Sequence, residues 1–428
     1  MASDILKMTA VDVALPSPPA GVELAGFLPV RRWDGSGDEL KASLLRVDRE
    51  DGSKLVIVAI DTLFLDHEFQ ARLQERLGSG IIPVLVASHT HFAPALARSV
   101  RSLGDVDDGY YEAILNCVAR TIQSGAGRMP ATIGHFTIPT DLTVNRRREG
   151  LIIDYSALRR GRLSLRKGVS LAANPDGIVD PNLRCISLRD DDGRPVACIW
   201  SLAAHAAFTD AYSALSADFP GRVRALLKER FGPDFVSLYL PGLAGSAIPN
   251  IASKPFSQMT GRERIFRILP FHHAIQPMAP ASYEAWSRRV ATLIAGPLPS
   301  LDYEPVTGMP AHHGVRCSDP VFWDSERQGL ALDLNVIRLG TAMEIITCNG
   351  ELLGEWKPLL DQLAGDGGMR MVSGYAAGAC LYVPPTGEIR RGGYEVDRFR
   401  KAFGLKGNFV EGIDTHVISA FEQLLAEA

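Results

Sequence analysis

No apolar stretch in the chain reaches the roughly 18–20 residues that a bilayer-crossing helix requires, so no membrane span is expected. The amino-terminal segment MASDILKMTAVDVALPSPPAG likewise holds no apolar core of the length a secretion signal needs. An excess of one charge is missing too: 45 lysines and arginines stand against 49 aspartates and glutamates, a formal net charge of −4. That balance offers no electrostatic footprint for nucleic acid or for an anionic membrane. The short basic runs Arg146-Arg147-Arg148 and Arg159-Arg160 read as solvated surface or as contacts to a substrate anion. Cys117, Cys185, Cys198, Cys317, Cys348 and Cys380 nowhere fall in CxxC spacing. Buried thiols in a reducing compartment account for them better than a disulfide framework or a thiolate zinc site. Internal repeats and low-complexity linkers are absent. These absences together predict a soluble, cytoplasmic protein whose partner is a small molecule.

What is present is apolar mass and alternating pattern. Hydrophobic residues make up 46% of 428 positions, enough for a large core or two. Residues 41–47 and Lys54–Ile60 read as strands around the turn Arg49-Glu50-Asp51-Gly52, followed by a helix over His67–Leu77 and a fully apolar strand over 82–87. An amphipathic helix is expected at 110–122 and a second hairpin at 183–188 and 195–202. A helix opening at Pro220-Gly221 should run to residue 231, ahead of a buried strand at 235–240. From residue 251 to 280 the periodicity breaks down, with several prolines, basic residues at 262–267 and the pair His272-His273, which is the pattern of a lid or insertion. Strands at 330–339, 342–347 and Met369–Ser373, with helices at 355–363 and 414–426, complete the reading. The expected fold is mixed α/β, a multi-layered α/β/α-type domain spanning residues 1–428 with mixed sheets and hairpins.

Chemistry concentrates at strand ends. Ser88-His89-Thr90-His91 follows the apolar strand at 82–87; in an extended segment His89 and His91 point to one side. Such a pair suits a divalent metal or two hydrogen-bonded surface imidazoles. His205 closes another apolar strand, and Glu351 follows a third through the turn Asn349-Gly350. Each alone has an ordinary reading, a core histidine or a helix-start carboxylate. Together, two histidines and one carboxylate describe a catalytic zinc with an open position. The adjacent pairs His272-His273 and His312-His313 diverge in a strand and are read as surface or loop.

In order, the motifs resemble the neutral ceramidase family (neutral/alkaline, non-lysosomal). The matches are short and scattered from Gly26 to Glu395: His89-Thr90-His91-Phe92-Ala93-Pro94, Asn145-Arg146, Asp180-Pro181, His205, Ser216-Ala217-Asp218, Gly350-Glu351, and Tyr382-Val383 followed twelve residues after the tyrosine by Tyr394-Glu395. The resemblance implies one zinc per chain, held by His89, His205, Glu351 and Tyr382, with Tyr375 as the lesser candidate for the tyrosine. It implies cleavage of an N-acyl amide, and it makes His91 an imidazole behind the ligands or facing the substrate. Two departures stand out. Where the family has Gly-Asp-x-Ser-Pro-Asn, this chain has Gly245-Ser246-Ala247-Ile248-Pro249-Asn250, so Ile248 replaces an activity-related serine and only Ser246 offers a hydroxyl nearby. The family's carboxyl-terminal β-sandwich has no counterpart in these 428 residues, so fold and metal site are expected to transfer better than ceramide as substrate.

The functional expectation is hydrolysis of an amide by metal-activated water, with His91 as general acid/base and Ser246 as a possible stand-in for the missing serine. Arg146 or Arg147 would grip a substrate carboxylate or else form a plain salt bridge. Asp218 and Asp61 would orient a ligand histidine or serve the backbone. Ester, lactone or phosphoester hydrolysis, and binding without turnover, are the alternatives. Histidine and carboxylate donors also accept neighbouring metals such as manganese.

Overall fold

A computed structural model describes residues 7–49, 51–153, 157, 160–208, 212–252, 255, 257, 259–261, 264, 278–306, 311–340, 343–363 and 368–427. Most of the lid expected at 251–280, including His272-His273, lies outside the described residues.

Three sheets carry the architecture. The first orders Met8–Ala14, Lys41–Asp48, Lys54–Ile60 and Ile81–Ala87; the second orders Val236–Tyr239, Pro195–Ser201, Asn182–Arg189, Thr132–Pro139 and Glu304–Pro305. The third orders Ala311–Arg316, Asp333–Leu339, Met343–Cys348 and Met369–Ser373. Each is mixed in the same way: hairpin neighbours run antiparallel, and one pair runs parallel. The parallel pairs are Lys54–Ile60 with Ile81–Ala87, Pro195–Ser201 with Val236–Tyr239, and Met343–Cys348 with Met369–Ser373. Their inner faces share one apolar cluster: Val47, Leu55 and Ile57 from the first sheet, Ile186, Ile199 and Leu238 from the second, and Ile337, Ile345 and Met371 from the third. Burying a side chain of this size is favourable by about 1.5–3 kcal/mol, which is why continuous apolar strands end up between layers rather than at the surface.

Helices cover the outer faces. His67–Leu77 buries Phe69, Leu73 and Leu77 at helical spacing, and Asp66 caps it by accepting the Phe69 amide at 2.9 Å. Asp108–Ser124 is capped by Asp107 and stops at Gly125 in the left-handed region. The helix expected from Pro220 starts two residues earlier, at Asp218, and runs to Phe231. The region expected as a helix at 355–363 is a 3-10 turn, Gly354–Trp356, leading into Lys357–Gln362.

Several elements carried no sequence signal, among them the helix Pro280–Ala295 and the long hairpin Thr143–Ile153 with Leu165–Asn174. The hairpin also corrects the reading of its arginine run as solvated surface. Arg146 and Arg147 are buried and only Arg148 is exposed, because carboxylates from distant segments wait inside for the first two. His312-His313 sits in the strand Ala311–Arg316, half-buried, with His312 against Asn335 and His313 against Glu427.

Candidate metal centre

The carboxyl ends of the three parallel pairs deliver the candidate residues. His89 stands two residues past Ile81–Ala87, His205 four past Pro195–Ser201, and Glu351 three past Met343–Cys348. The sequence argument that His89 and His91 share a side of an extended strand reaches the right convergence by the wrong route. The strand ends at Ala87 and His89 adopts φ 61°, so a turn, not the pleat, aims its ring. A left-handed φ is unfavourable for a residue with a Cβ and is held here by surrounding structure. Tyr375, whose ring lies 4.2 Å from that of His89, has φ 63°.

His89, His91 and His205 converge, and among the described residues they form the one cluster of three or more His, Cys, Asp or Glu donors able to hold a metal ion. The Nε2 of His205 lies 3.2 Å from that of His89 and 3.1 Å from that of His91. The Nδ1 atoms point the other way, to carbonyls: Leu63 at 3.0 Å for His89, Gly26 at 3.0 Å for His91, and Ala244 at 3.4 Å for His205. A carbonyl only accepts, so each Nδ1 carries the proton and each Nε2 presents a lone pair. Three lone pairs aimed at one point repel unless a cation lies between them. Zinc–nitrogen bonds of about 2.0–2.1 Å hold tetrahedral ligand nitrogens roughly 3.3–3.4 Å apart, close to the separations seen.

Electrostatics agrees. Burial drives the pKa of His89 and His205 well below the usual imidazole value, and it brings His91 down to about 3, assisted by the nearby charges of Arg146 and Arg31. All three are therefore neutral, the form that binds metal. Glu351 lies fully buried with Oε2 3.4 Å from the His89 Nε2. Burial pushes its pKa up to about 8, with Arg146, Tyr382 and Tyr375 pulling the other way. Neither carboxylate oxygen, nor the Tyr375 hydroxyl, makes a hydrogen bond of sound geometry. An orphaned buried carboxyl is costly, and it stands beside the neutral imidazole of His89. This donor set fits a divalent cation.

The remaining expected residues surround this group. Tyr382 pairs with Glu351 in a short parallel ladder, and its hydroxyl accepts from Arg146 Nη2 at 3.0 Å. Arg146 also donates to Gly245 O at 2.8 Å and, through Nε, to Glu395 at 2.9 Å. Burial opposes its charge, yet Tyr382, Glu395 and Glu351 hold its pKa above the usual value. Arg147 is spent on structure, bonding Glu395, Glu388 and the Gly392 carbonyl. Ser246 Oγ donates to Glu355 at 2.5 Å and accepts the Gly354 amide at 2.8 Å. Ile248 is buried in a short strand opposite Val144. Asp218 accepts from the Phe208 amide and the Tyr283 hydroxyl, tying down the segment after His205. Asp61 serves Arg224 at 2.6 Å and the Lys41 amide, away from the histidines.

Sequence reasoning missed Arg31. It is 5% exposed, donates to the backbone oxygens of His91 and Tyr212, and lies 4.2 Å from the Phe27 ring centroid. It missed Gly26 as well, whose φ is 109° and where a Cβ would fall 2.5 Å from the His91 Nδ1. No spacing marks either position.

By sequence, neither a protein-family profile nor a curated protein matches the chain. By structure, it is similar to the neutral ceramidase from Pseudomonas aeruginosa, with TM-score 0.69 and 16% identity over 99% of this chain and 73% of that one. It is also similar to a ceramidase complexed with C2, with TM-score 0.67 and 16% identity over 99% and 74% of the two chains. The chain has a neutral ceramidase-like fold.

Proposed function

We propose that the protein is a zinc-dependent hydrolase that cleaves the amide bond of an N-acyl substrate. The observation that carries this reading is the convergence of three neutral imidazole nitrogens on one point, with the buried carboxyl of Glu351 3.4 Å from one of them. The ceramidase-like fold supports an amide as the bond cleaved. His89, His205 and Glu351 would hold the ion, with Tyr382 adjoining Glu351. His91, the least buried of the imidazoles, would stand beside them, its Nε2 3.1 Å from that of His205. A bound zinc supplies a water of pKa about 7 and polarises a carbonyl oxygen.

The chain's own residues do the rest. His91, kept neutral by burial with its Nε2 turned to the same point as those of His89 and His205, would accept a hydrogen bond from the attacking water and orient it. The Nδ1–H bonds to Leu63, Gly26 and Ala244 fix the ring orientations. Tyr382 retains its proton because burial and the nearby Glu351 raise its pKa. Arg146 holds that hydroxyl in place, so it can donate where negative charge develops. Arg146 acts by positioning rather than by gripping a carboxylate, since Nε and Nη2 are already engaged. Ser246, committed to Glu355 and Gly354, takes a structural part.

The test is metal content of chelator-free protein, together with turnover of paired N-acyl amides and esters. About one zinc per chain, lost in His89→Ala and Glu351→Ala, with amide cleavage that fails in the same variants, supports the reading; protein that takes up no zinc overturns it. One observation favours a second reading, a family scaffold that binds without turnover: Ile248, which can neither donate nor attack, occupies the position of the family serine. Zinc bound with no cleavage of either substrate class would bring that reading forward.

A further inference from the structure

The strand that carries Arg146 does not stop at the site. Thr143–Ile153 runs on to form a hairpin with Leu165–Asn174, paired from Asn145↔Asn174 at its root to Ile153↔Leu165 near its tip. Only the root is held by a third strand, Ala247–Pro249, against residues 143–145. Beyond it the ribbon is two-stranded, and it gathers exposed leucines. Leu163 is 73% exposed, Leu151 51% and Leu165 41%. Leu151 lies opposite Lys167 and Ile153 opposite Leu165, so Leu151, Ile153 and Leu165 share one face with a lysine among them.

The charge of this ribbon is equally distinct. Residues 148–167 hold six cations against two acids in a chain whose net charge is −4. Arg148, Arg160, Arg162, Arg166 and Lys167 are exposed, and among the described residues no carboxylate is ion-paired with any of them. Glu149 is taken by Arg391 at 2.7 Å. Unpaired cations alone would suit a nucleic acid or an acidic protein. Cations interleaved with solvent-facing leucines suit a surface that is anionic outside and apolar just beneath.

We propose that the outer half of this hairpin docks the protein on an anionic lipid surface. The leucines enter the headgroup–acyl boundary while Lys167 on their face and Arg160 and Arg162 nearer the tip meet lipid phosphates and carboxylates; Arg148 and Arg166, on the other face, add longer-range attraction. The remainder of the molecule, net acidic, is repelled from the same surface, so the hairpin faces the membrane first. Leu151 lies five residues beyond Arg146, about 16 Å along an extended strand, so docking brings the metal centre near the lipid without inserting it. The proposal stands whether or not the centre is catalytic.

The experiment is co-sedimentation of the full chain with vesicles of phosphatidylcholine alone and with phosphatidylserine added, at low and high salt. Two variants accompany the wild type: Leu151→Ser with Leu163→Ser and Leu165→Ser, and Arg160→Gln with Arg162→Gln, Arg166→Gln and Lys167→Gln. These side chains are exposed, so unchanged melting temperatures establish that both variants fold. The expected result is partitioning about tenfold stronger onto the anionic vesicles, weakened by salt and lost in both variants. Absence of wild-type binding to either vesicle overturns the proposal. So does salt-sensitive binding that the leucine variant keeps, which would be adsorption of charge alone. Leucine-dependent self-association in sedimentation velocity without vesicle binding would identify a second copy of the chain as the occupant and overturn it as well.

Discussion

Glu351 concentrates the tension at the candidate metal centre. Its carboxyl is fully buried with a pKa pushed up to about 8, against 4.5 for the ordinary side chain. Because the folded value is the higher, Glu351 favours folding fully below pH 4.5 and progressively less as pH rises toward 8. The histidines act oppositely: their folded pKa values lie below 6.5, so their contribution is present above that pH and lost as pH falls. Metal-free protein should therefore be most stable near pH 6.5, losing stability below it through the three histidines and above it through Glu351. Zinc, which requires the ionised carboxylate, should raise the melting temperature more at pH 8 than at pH 6, as a calorimetric series with and without zinc would read. Glu351→Gln separates stability from binding. Removing a carboxyl that the metal-free fold must keep protonated above pH 4.5 should raise its melting temperature near neutral pH, while zinc affinity falls by more than the roughly 10–100-fold that loss of an outer-shell partner brings. A variant that melts lower without metal and binds zinc normally would contradict the assignment of Glu351 as a ligand.

At the scale of elements, the centre depends on how segments dock. Glu395 receives both Arg146 and Arg147, and all three side chains are buried. Glu395→Ala leaves two buried guanidinium groups short of a counter-charge and should destabilise by about 3–5 kcal/mol, measurable as a shift in the denaturant midpoint. Gly245 illustrates close approach: a Cβ there would fall 2.7 Å from Glu351 O and 2.9 Å from Leu352 O. Gly245→Ala should cost about 1–3 kcal/mol of stability and, by pushing the Glu351 segment away, weaken zinc binding. An alanine variant with unchanged melting temperature and zinc affinity would show that the segment adapts freely.

Across the whole molecule, three sheets share one apolar interior, and the ends of their parallel pairs meet at the metal centre. Since that interior does not include the proposed ligands, removing the metal proposed to bind there should leave the far-ultraviolet circular dichroism unchanged while lowering the melting temperature by ligand linkage. Loss of secondary structure on chelation would mean instead that the metal organises the fold. No helix among the described residues is long and apolar enough to cross a membrane.

Local pattern alone determined a good deal. The strand Lys54–Ile60, the helix His67–Leu77 and the strand Met369–Ser373 were legible because apolar periodicity and turn residues are written within a few positions. His89, His205 and Glu351 drew notice for a related reason: each follows an apolar strand within four residues, and strand ends are where open sheets gather ligands. The three-dimensional structure alone decided the rest. The burial of Arg146 and Arg147 depends on Glu388 and Glu395, more than two hundred residues away, so no local rule could separate them from exposed Arg148. His91 stands as near to His205 as His89 does because of a left-handed turn at His89, not because of strand alternation. Ser246 is engaged by Glu355, and Arg31 reaches the His91 carbonyl, through approaches between segments distant in sequence. Periodicity records which face of an element turns inward; which charged groups find one another there depends on long-range packing, and sequence neighbours carry no trace of it.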